Sequence, residues 1–374
     1  MKYYIIAGEA SGDLHGSNLI REIKCSDPQA VFRAWGGELM QMEGADIVKH
    51  YRDLAFMGFW EVLTNLKTIL SNIDFCKRDI LDWRPDALIF IDYPGFNLRI
   101  ASFARQHKLK TVYYISPQIW AWKESRVKRI KRDIDLMLVI LPFEKDFYAE
   151  RGMQVHFVGH PLLDAVTQYQ LPEEGWRKRH NLPVDTKIIA LLPGSRKQEI
   201  ESMLPVMLEA KKNLTDFTWV WAMAPSQKAE YYQELLTGHS DLHIVVGDTY
   251  GVLSHAHAAL VTSGTATLET ALFGVPEVVC YKGNPVSYQI ARRLVKVKYI
   301  SLVNLIMDRE VVKELIQHEM TAEKISAELR IILQGKGREN MLAGYEALKQ
   351  KLGNKGASKN ASNLIIKYLH NSSE

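Results

Sequence analysis

Short runs of β-forming apolar residues alternate with longer segments of helical periodicity, and this alternation occurs twice along the chain. In the first half the predicted strands are Tyr3–Ala7, Val31–Trp35, Ala87–Ile91, Thr111–Ile115, Leu136–Ile140 and Val155–Val158. In the second half they are Lys187–Leu192, Thr218–Ala222, His243–Val246, Ala259–Val261 and Glu277–Tyr281. Strands separated by helices pair in parallel through βαβ units. The sequence therefore predicts an α/β protein with two parallel sheets.

The length of 374 residues, 47% of them hydrophobic, is sufficient for two domains that each have a core. We expect an N-terminal domain over residues 1–165, a polar hinge with two prolines over 166–186, and a second domain over 187–348. Residues 349–374 begin with a stretch rich in Lys, Gly, Asn and Ser and end in an apolar helix. This tail is expected to pack back on the first domain.

Charge and cysteine content exclude several classes of protein. A net charge of +4 is too small to indicate a nucleic-acid-binding protein. Cys25, Cys76 and Cys280 have neither disulfide-framework nor zinc-finger spacing, which is typical of a reducing cytoplasm. The apolar start Met1–Ala7 has no basic leader, and no stretch is long enough to span a bilayer. We therefore expect any membrane contact to be peripheral.

The loop LPGSRKQE follows the first strand of the second half. Ligands of open α/β sheets bind beyond the carboxyl ends of the strands, so loops of this kind hold the chemistry. Gly194 and Ser195 lead into a helix start that favours anions, and Arg196 adds a fixed cation, a combination suited to a diphosphate. The alternative is an ordinary turn with Ser195 as N-cap and Arg196 in solvent. No GK[ST] follows, which excludes a P-loop.

The loop TSGTATLE has the same position after a later strand of the second half. Ser263, Gly264 and Thr265 offer N–H and hydroxyl donors, and Glu269 can accept two hydrogen bonds from a vicinal diol such as ribose. In the alternative interpretation, Ser263 is an N-cap and Glu269 an exposed helical residue. Two helix starts that favour anions in one domain indicate a nucleotide site.

Carboxylates follow two strands of the first half. Asp92, in DYPGFN, ends an apolar strand and is a candidate general base, although it could instead cap its own loop in an Asx-turn. In GEASGD, the side chains of Glu9, Ser11 and Asp13 crowd into one turn that is suited to hold sugar hydroxyls. Ser11 or Asp13 could instead cap the following helix, but that alternative leaves Glu9 unexplained.

Two stretches combine large apolar and basic side chains. The first, DLAFMGFWEVL, contains Phe56, Met57, Phe59 and Trp60. The second contains Trp120, Trp122, Lys123, Arg126, Lys128 and Arg129. Aromatic rings beside cations are typical of surfaces that contact the membrane interface. The alternatives are a buried aromatic cluster and a solvated basic helix; a nucleic-acid groove is disfavoured because no RNA-binding motif is present.

Metal-binding signals are weak. His255 and His257 are two residues apart, so they cannot share one face of a helix. Asp133 and Asp135 form a DxD that precedes an apolar run instead of following one. We interpret both pairs as structural and predict no metal site.

Taken together, the motifs resemble lipid-A-disaccharide synthases, a family of bacterial glycosyltransferases with the GT-B fold. The matching stretches are GEASGDLHG, GFWEVL, DYPGFN, SPQIWAWK, VGHPLLD, LLPGSR, TSGTATLE and SLVNLI. They extend over nearly the whole chain, and GEASGD together with the SPQ-W-AW stretch is highly specific. The resemblance implies two Rossmann-like parallel-sheet domains that face a central cleft.

The resemblance also implies a reaction. An inverting glycosyltransferase of this family joins UDP-2,3-diacylglucosamine to 2,3-diacylglucosamine 1-phosphate, giving a β-1',6-linked disaccharide and UDP. Asp92 would take the proton of the acceptor 6-hydroxyl, and Arg196 with the two helix starts would hold the diphosphate without a metal or other cofactor. Asn304, in SLVNLI, is implied to help bind UDP; Val303 stands where many members of the family have proline.

For partners and location, the resemblance implies peripheral association with the cytoplasmic face of the inner membrane, where both acylated substrates enter. It also implies that the C-terminal part can be exchanged between the subunits of a homodimer. Two other functions stay open at this point. One is a UDP-GlcNAc 2-epimerase-like enzyme, and the other is a non-catalytic protein that binds lipid or nucleotide.

Overall fold

The chain divides into two structural units. The computed structural model describes residues 1–54, 66–122, 124–170, 175–225, 231, 239, 241–284, 288–289 and 297–371. One unit comprises Met1–Pro161 with Asn354–Glu374, and the other comprises Leu162–Gly353. The segment 166–186, expected to be a hinge, therefore belongs to the second unit, and the first unit gives way to the second at Pro161 instead of residue 165.

The first unit is built on a seven-stranded parallel sheet. Its strands are β1 (Lys2–Ala7), β2 (Val31–Gly36), β3 (Asp46–His50), β4 (Ala87–Ile91), β5 (Lys110–Tyr114), β6 (Leu136–Val139) and β7 (His156–Phe157). They lie in the order β3-β2-β1-β4-β5-β6-β7. The order reverses between β1 and β4, and this switch point is where sheets of this type bind ligands.

Helices cover both faces of this sheet. They are α1 (Ala10–Ser26), α2 (Glu38–Met42), α3 (Leu66–Trp83), α4 (Pro94–Gln106), α5 (Ile119–Trp122), α6 (Arg126–Asp133), α7 (Pro142–Ala149) and the C-terminal α16 (Ala357–Asn371). Because side chains alternate along a strand, Tyr3 and Ile5 join the core that contains α1 and α16, while Tyr4 joins the core on the other face. The tail helix α16 thus packs against α1.

The second unit repeats the arrangement with a six-stranded parallel sheet in the order β10-β9-β8-β11-β12-β13. Its strands are β8 (Lys187–Leu192), β9 (Phe217–Met223), β10 (His243–Val246), β11 (Ala256–Thr262), β12 (Glu277–Tyr281) and β13 (Lys313–Ile316). The switch point lies between β8 and β11. The prediction of two Rossmann-like parallel-sheet domains is confirmed.

The remaining helices lie in or at the start of the second unit. They are α8 (Pro161–Gln168), α9 (Trp176–Arg179), α10 (Lys197–Lys211), α11 (Thr249–His255), α12 (Thr265–Leu272), α13 (Leu302–Met307), α14 (Ala322–Leu333) and α15 (Gly335–Leu352). Trp176 is buried in the core with strands β8, β9 and β11. This packing explains why the expected hinge is part of the unit.

Every predicted strand overlaps an observed one, but β3 and β13 were not predicted. Both are edge strands, with the sequences DIVKH and KELI. Most of their residues are partly exposed, so charged side chains interrupt the apolar run that marks an interior strand. No helix in the described part of the chain combines the length and apolarity that crossing a membrane requires.

Candidate active site

The two glycine-containing loops of the second unit meet in one pocket. A cavity of about 340 Å³ lies at the carboxyl ends of β8 and β11, the switch point of the sheet. We call it the nucleotide pocket. The residues predicted from the two loops that line it are Gly194, Ser195, Arg196, Ser263, Gly264, Thr265 and Glu269. Glu199 and Thr249 line it as well.

The start of α10 brings the Arg196 cation and a turn of backbone N–H groups to this pocket. Gly194 has a φ of +111°, and a Cβ there would overlap the carboxylate of Glu199, so glycine is required. The Glu199 carboxylate accepts the Arg196 backbone N–H at 3.4 Å and lies 3.4 Å from the Arg196 guanidinium. Arg196 and not Ser195 is the N-cap, and the Arg196 side chain is 64% exposed, as the alternative interpretation expected. The arrangement favours an anion.

The start of α12 forms the opposite part of the lining. Gly264 is the N-cap residue, not Ser263. The Ser263 hydroxyl donates to the Ile300 carbonyl at 2.8 Å, so its proton fixes the loop and is not offered to a ligand. Thr265 is exposed, and the first N–H groups of a helix have no partners within the helix. Thr265 and these backbone groups are therefore the donors on this side.

Glu269 is held by a residue that the sequence analysis missed. The hydroxyl of Tyr250, on α11, donates to Glu269 Oε1 at 2.8 Å. Burial raises the pKa of Glu269, and the hydrogen bond from Tyr250 opposes that rise. Glu269 is thus a partly buried acceptor and not the freely exposed helical glutamate of the alternative interpretation.

Asn304 requires a correction. It is fully buried on α13, and its amide is satisfied within the chain. Its Nδ2 donates to the Val312 carbonyl and to Glu314 Oε1, both at 2.9 Å, while its Oδ1 accepts two backbone N–H groups. Direct contact with UDP is therefore excluded in this conformation. Glu314 also accepts the N–H of Ile300, so the Asn304 network supports the segment that Ser263 contacts.

At the switch point of the first unit, Asp92 and Glu9 lie on neighbouring loops. Strands β1 and β4 pair with Ala7 opposite Ile91, so the residues that follow them are adjacent. Both side chains are open to solvent. Protein atoms on its other sides partly desolvate Asp92, and this desolvation, together with the negative charge of Glu9, raises the pKa of Asp92 to about 6. Such a carboxylate is ionised at neutral pH and can accept a proton.

The backbone of Asp92 is fixed by neighbours that sequence reasoning also missed. Asp92 has a φ of +43°, in the left-handed region. The buried amide of Asn97 donates to the carbonyls of Asp92 (2.8 Å), Ile91 (3.3 Å) and Ile6 (3.3 Å), which ties the ends of β1 and β4 together. The Tyr113 hydroxyl donates to the same Asp92 carbonyl. The only sequence signal was that Asn97 belongs to the DYPGFN motif.

Asp13 does not belong with Glu9 and Ser11. Its side chain is 2% exposed and accepts the backbone N–H groups of Gly37 (2.7 Å), Leu39 (3.0 Å) and Met40 (3.2 Å). These contacts cap α2, not the helix on which Asp13 lies. The prediction that Asp13 faces the substrate sugars is therefore wrong. Ser11 is exposed on the first turn of α1.

The aromatic and basic stretches are only partly described. Phe56, Met57, Phe59, Trp60 and Lys123 lie outside the described residues, as does the side chain of Trp122. Trp120 is half-buried; its ring packs on Phe143 and its Nε1 lies 3.3 Å from the buried Glu144 carboxylate, so it does not project as a lipid-facing ring. On α6, Lys128 and Arg129 are exposed, and Arg126 is half-buried.

The residues set aside as metal candidates have structural contacts. His255 stacks on Trp176 with ring centroids 4.4 Å apart, and His257 bonds the Leu333 carbonyl at 2.8 Å. Asp133 is buried and accepts two hydrogen bonds from Arg132. In the part of the chain that the structure describes, His, Cys, Asp and Glu side chains do not gather in threes as a metal site would need.

Comparison with known proteins identifies the family. The family model described as lipid-A-disaccharide synthetase matches residues 3–367. The chain belongs to the lipid-A-disaccharide synthase family. The lipid-A-disaccharide synthase of Geobacter metallireducens is 38% identical over 98% of this chain and 96% of its own length. That of Syntrophus aciditrophicus is 39% identical over 98% of each chain. The family prediction is confirmed.

Solved structures share the fold of this lipid-A-disaccharide synthase family member. The UDP-GlcNAc 2-epimerase of Neisseria meningitidis bound to UDP-GlcNAc has a TM-score of 0.66 and 14% identity, covering 99% of this chain and all of its own. The glycotransferase of kitacinnamycin has a TM-score of 0.67 and 14% identity, with 98% of each chain covered. At these identities the likeness shows the fold alone, and it confirms the predicted GT-B class.

Proposed function

We propose that this member of the lipid-A-disaccharide synthase family is an inverting glycosyltransferase. It joins UDP-2,3-diacylglucosamine to 2,3-diacylglucosamine 1-phosphate, with a β-1',6 bond, and releases UDP. One observation carries the proposal: at the switch point of each sheet lie groups suited to one of the two substrates, the nucleotide-sugar donor or the acceptor. The second unit has the nucleotide pocket, and the first has Asp92 with its raised pKa.

UDP is the leaving group of this reaction, and the negative charge that develops on its diphosphate must be stabilised by positive charge in the nucleotide pocket. The exposed guanidinium of Arg196 and the N-termini of α10 and α12 would neutralise the diphosphate as the bond to the sugar breaks. Glu269 would accept hydrogen bonds from the ribose hydroxyls. These groups supply the charge stabilisation in this proposal, and no metal has a role in it.

At Asp92, the acceptor must lose a proton. As the acceptor O6 bonds to the anomeric carbon, the bond from that carbon to the diphosphate oxygen breaks and its electron pair leaves with UDP. Asp92 takes the O6 proton, and a pKa of about 6 suits a general base at neutral pH. One direct displacement inverts the anomeric centre. The exposed Glu9 and Ser11 would hold hydroxyls of the sugars.

A membrane surface is also part of the proposal, because both substrates carry acyl chains. On α6, Lys128 and Arg129 are exposed cations that would attract anionic lipid at the cytoplasmic face. Replacing both by Glu should lower co-sedimentation with vesicles that contain anionic phospholipid, and wild-type binding to purely zwitterionic vesicles should be weak. Equal wild-type binding to the two vesicle types would contradict this assignment.

The reaction itself is tested with purified protein, both acylated substrates and EDTA. Mass spectrometry should detect the disaccharide, with one UDP released for each. Arg196→Ala provides a matched control that should lose UDP affinity and activity together. In a separate incubation with UDP-GlcNAc, its conversion to the C2 epimer, together with no disaccharide from the acylated substrates, would indicate an epimerase. UDP binding with neither product would indicate a non-catalytic binding protein.

A further inference from the structure

Tyr250 stands beside the carboxylate of the nucleotide pocket and has no role in the reaction described so far. It lies on α11, directly after Thr249, which lines the pocket. Its hydroxyl donates to Glu269 Oε1 at 2.8 Å. Among the described residues, Glu269 Oε2 accepts no hydrogen bond, so one carboxylate oxygen is fixed and the other faces no competing donor.

The Tyr250 ring is held between two other aromatic rings. Its centroid lies 5.4 Å from that of Tyr169, nearly perpendicular to it, and 5.0 Å from that of Phe273. Tyr169 is in turn anchored, because its hydroxyl donates to Asp248 Oδ1 at 3.2 Å. Trp176 Nε1 donates to the other oxygen of Asp248 at 2.8 Å. These contacts hold the phenol ring of Tyr250 in position, so its hydroxyl reaches Glu269 from a fixed direction.

Fixing this carboxylate matters for a vicinal diol. A carboxylate accepts both hydroxyls of a ribose only when it is ionised and correctly turned, since a protonated oxygen would donate. Burial favours the neutral form of Glu269 and raises its pKa, whereas the hydrogen bond from Tyr250 favours the charged form. The terminal torsion of a glutamate is broad, so the same hydrogen bond also sets the plane of the carboxylate.

We propose that Tyr250 is a positioning residue that orients Glu269 as the acceptor for the ribose diol. It thereby sets the preference of the nucleotide pocket for ribonucleotides over deoxyribonucleotides. The inference rests on the proposed function, because it assumes that a uridine nucleotide occupies this pocket.

The test compares UDP with 2',3'-dideoxy-UDP by calorimetry on the full chain. Wild type should bind UDP more tightly than the dideoxy nucleotide. Tyr250→Phe keeps the ring and removes the hydroxyl, so its affinity for UDP should fall about tenfold, as expected for a lost hydrogen bond to a charged group. Its affinity for dideoxy-UDP should not change, because that nucleotide has no diol.

Two further variants keep the result interpretable. Tyr169→Phe, which loses the hydroxyl that anchors this ring against Tyr250, should lower the affinity for UDP less than Tyr250→Phe does and should leave the affinity for dideoxy-UDP unchanged. In a Glu269→Gln background, Tyr250→Phe should have little further effect on UDP affinity. Equal losses for both nucleotides in Tyr250→Phe, or no loss for either, would overturn the inference while leaving the proposed function intact. Absence of UDP binding by wild type would overturn both.

Discussion

At the scale of single residues, three carboxylates near one end of the first sheet have three different environments. Asp13 is buried and bound to three backbone N–H groups, Glu9 is exposed, and Asp92 is open to solvent with a pKa raised to about 6. The sequence analysis grouped Asp13 with Glu9 because both belong to the GEASGD turn that follows β1. Only the folded structure, in which α2 packs against Asp13, distinguishes this structural carboxylate from Glu9 and Asp92, which can contact a substrate.

The pKa of Asp92 predicts how activity depends on pH. A general base must be deprotonated, so kcat/KM should fall as pH decreases through about 6. The charge of Glu9 contributes to this raised pKa, so Glu9→Gln should lower the pKa of Asp92 and move the acid limb to lower pH. A pH–rate profile checks this. Asp82→Asn, which removes an exposed carboxylate on α3, should not move the limb.

At the scale of elements, one carboxylate joins two helices. Asp13 on α1 caps the five-residue helix α2. The N-cap residue of α2 is Gly37, which has no side chain that could accept a hydrogen bond. A Cβ on Gly37 would lie 2.8 Å from Asp13 Oδ2 and would overlap the Tyr51 ring. Glycine at this position therefore allows the backbone to approach the carboxylate closely, and the GEASGD motif carries a folding constraint beside its exposed polar residues.

Removal of this cap should destabilise the protein. In Asp13→Ala, three backbone N–H groups, two of them buried, lose their acceptor, and we expect the free energy of unfolding of the first unit to fall by about 2–4 kcal/mol. Urea denaturation measures the change. Ser11→Ala, an exposed change in the same turn, should stay within about 0.5 kcal/mol of wild type. An Asp13→Ala protein of unchanged stability but without activity would restore the catalytic assignment.

At the scale of the whole molecule, the sequence predicts every interior strand of the two sheets and two of their four edge strands, β7 and β10. The strand ALIFI at Ala87–Ile91 is buried throughout, so its composition alone identifies it. The other two edge strands, β3 and β13, mix charged and apolar residues, because most of their residues are partly exposed. Domain boundaries depend on packing as well: Trp176 is buried against the second sheet, although its neighbours in sequence are highly charged.

The residues of the candidate site also fall into those that could be predicted from the sequence and those that could not. The loops of the nucleotide pocket could be predicted, because parallel strands bring their carboxyl ends to one edge. Partners from distant segments could not: Tyr250 reaches Glu269, and Ser263 reaches Ile300, only after the chain has folded. For Asn304, the SLVNLI motif identified a residue near the nucleotide pocket. The motif alone could not tell whether its side chain contacts the ligand or, as observed, is buried and bonded to the backbone of Val311 and Val312.

The central claim is that Asp92 is the base of a sugar transfer whose nucleotide binds in the other unit. The most direct test is Asp92→Asn, with UDP affinity measured by calorimetry and disaccharide formation by mass spectrometry on the same folded preparation. We predict wild-type UDP affinity and a rate of disaccharide formation lowered about 100-fold or more. A folded Asp92→Asn protein that forms disaccharide at a rate near wild type would contradict the account.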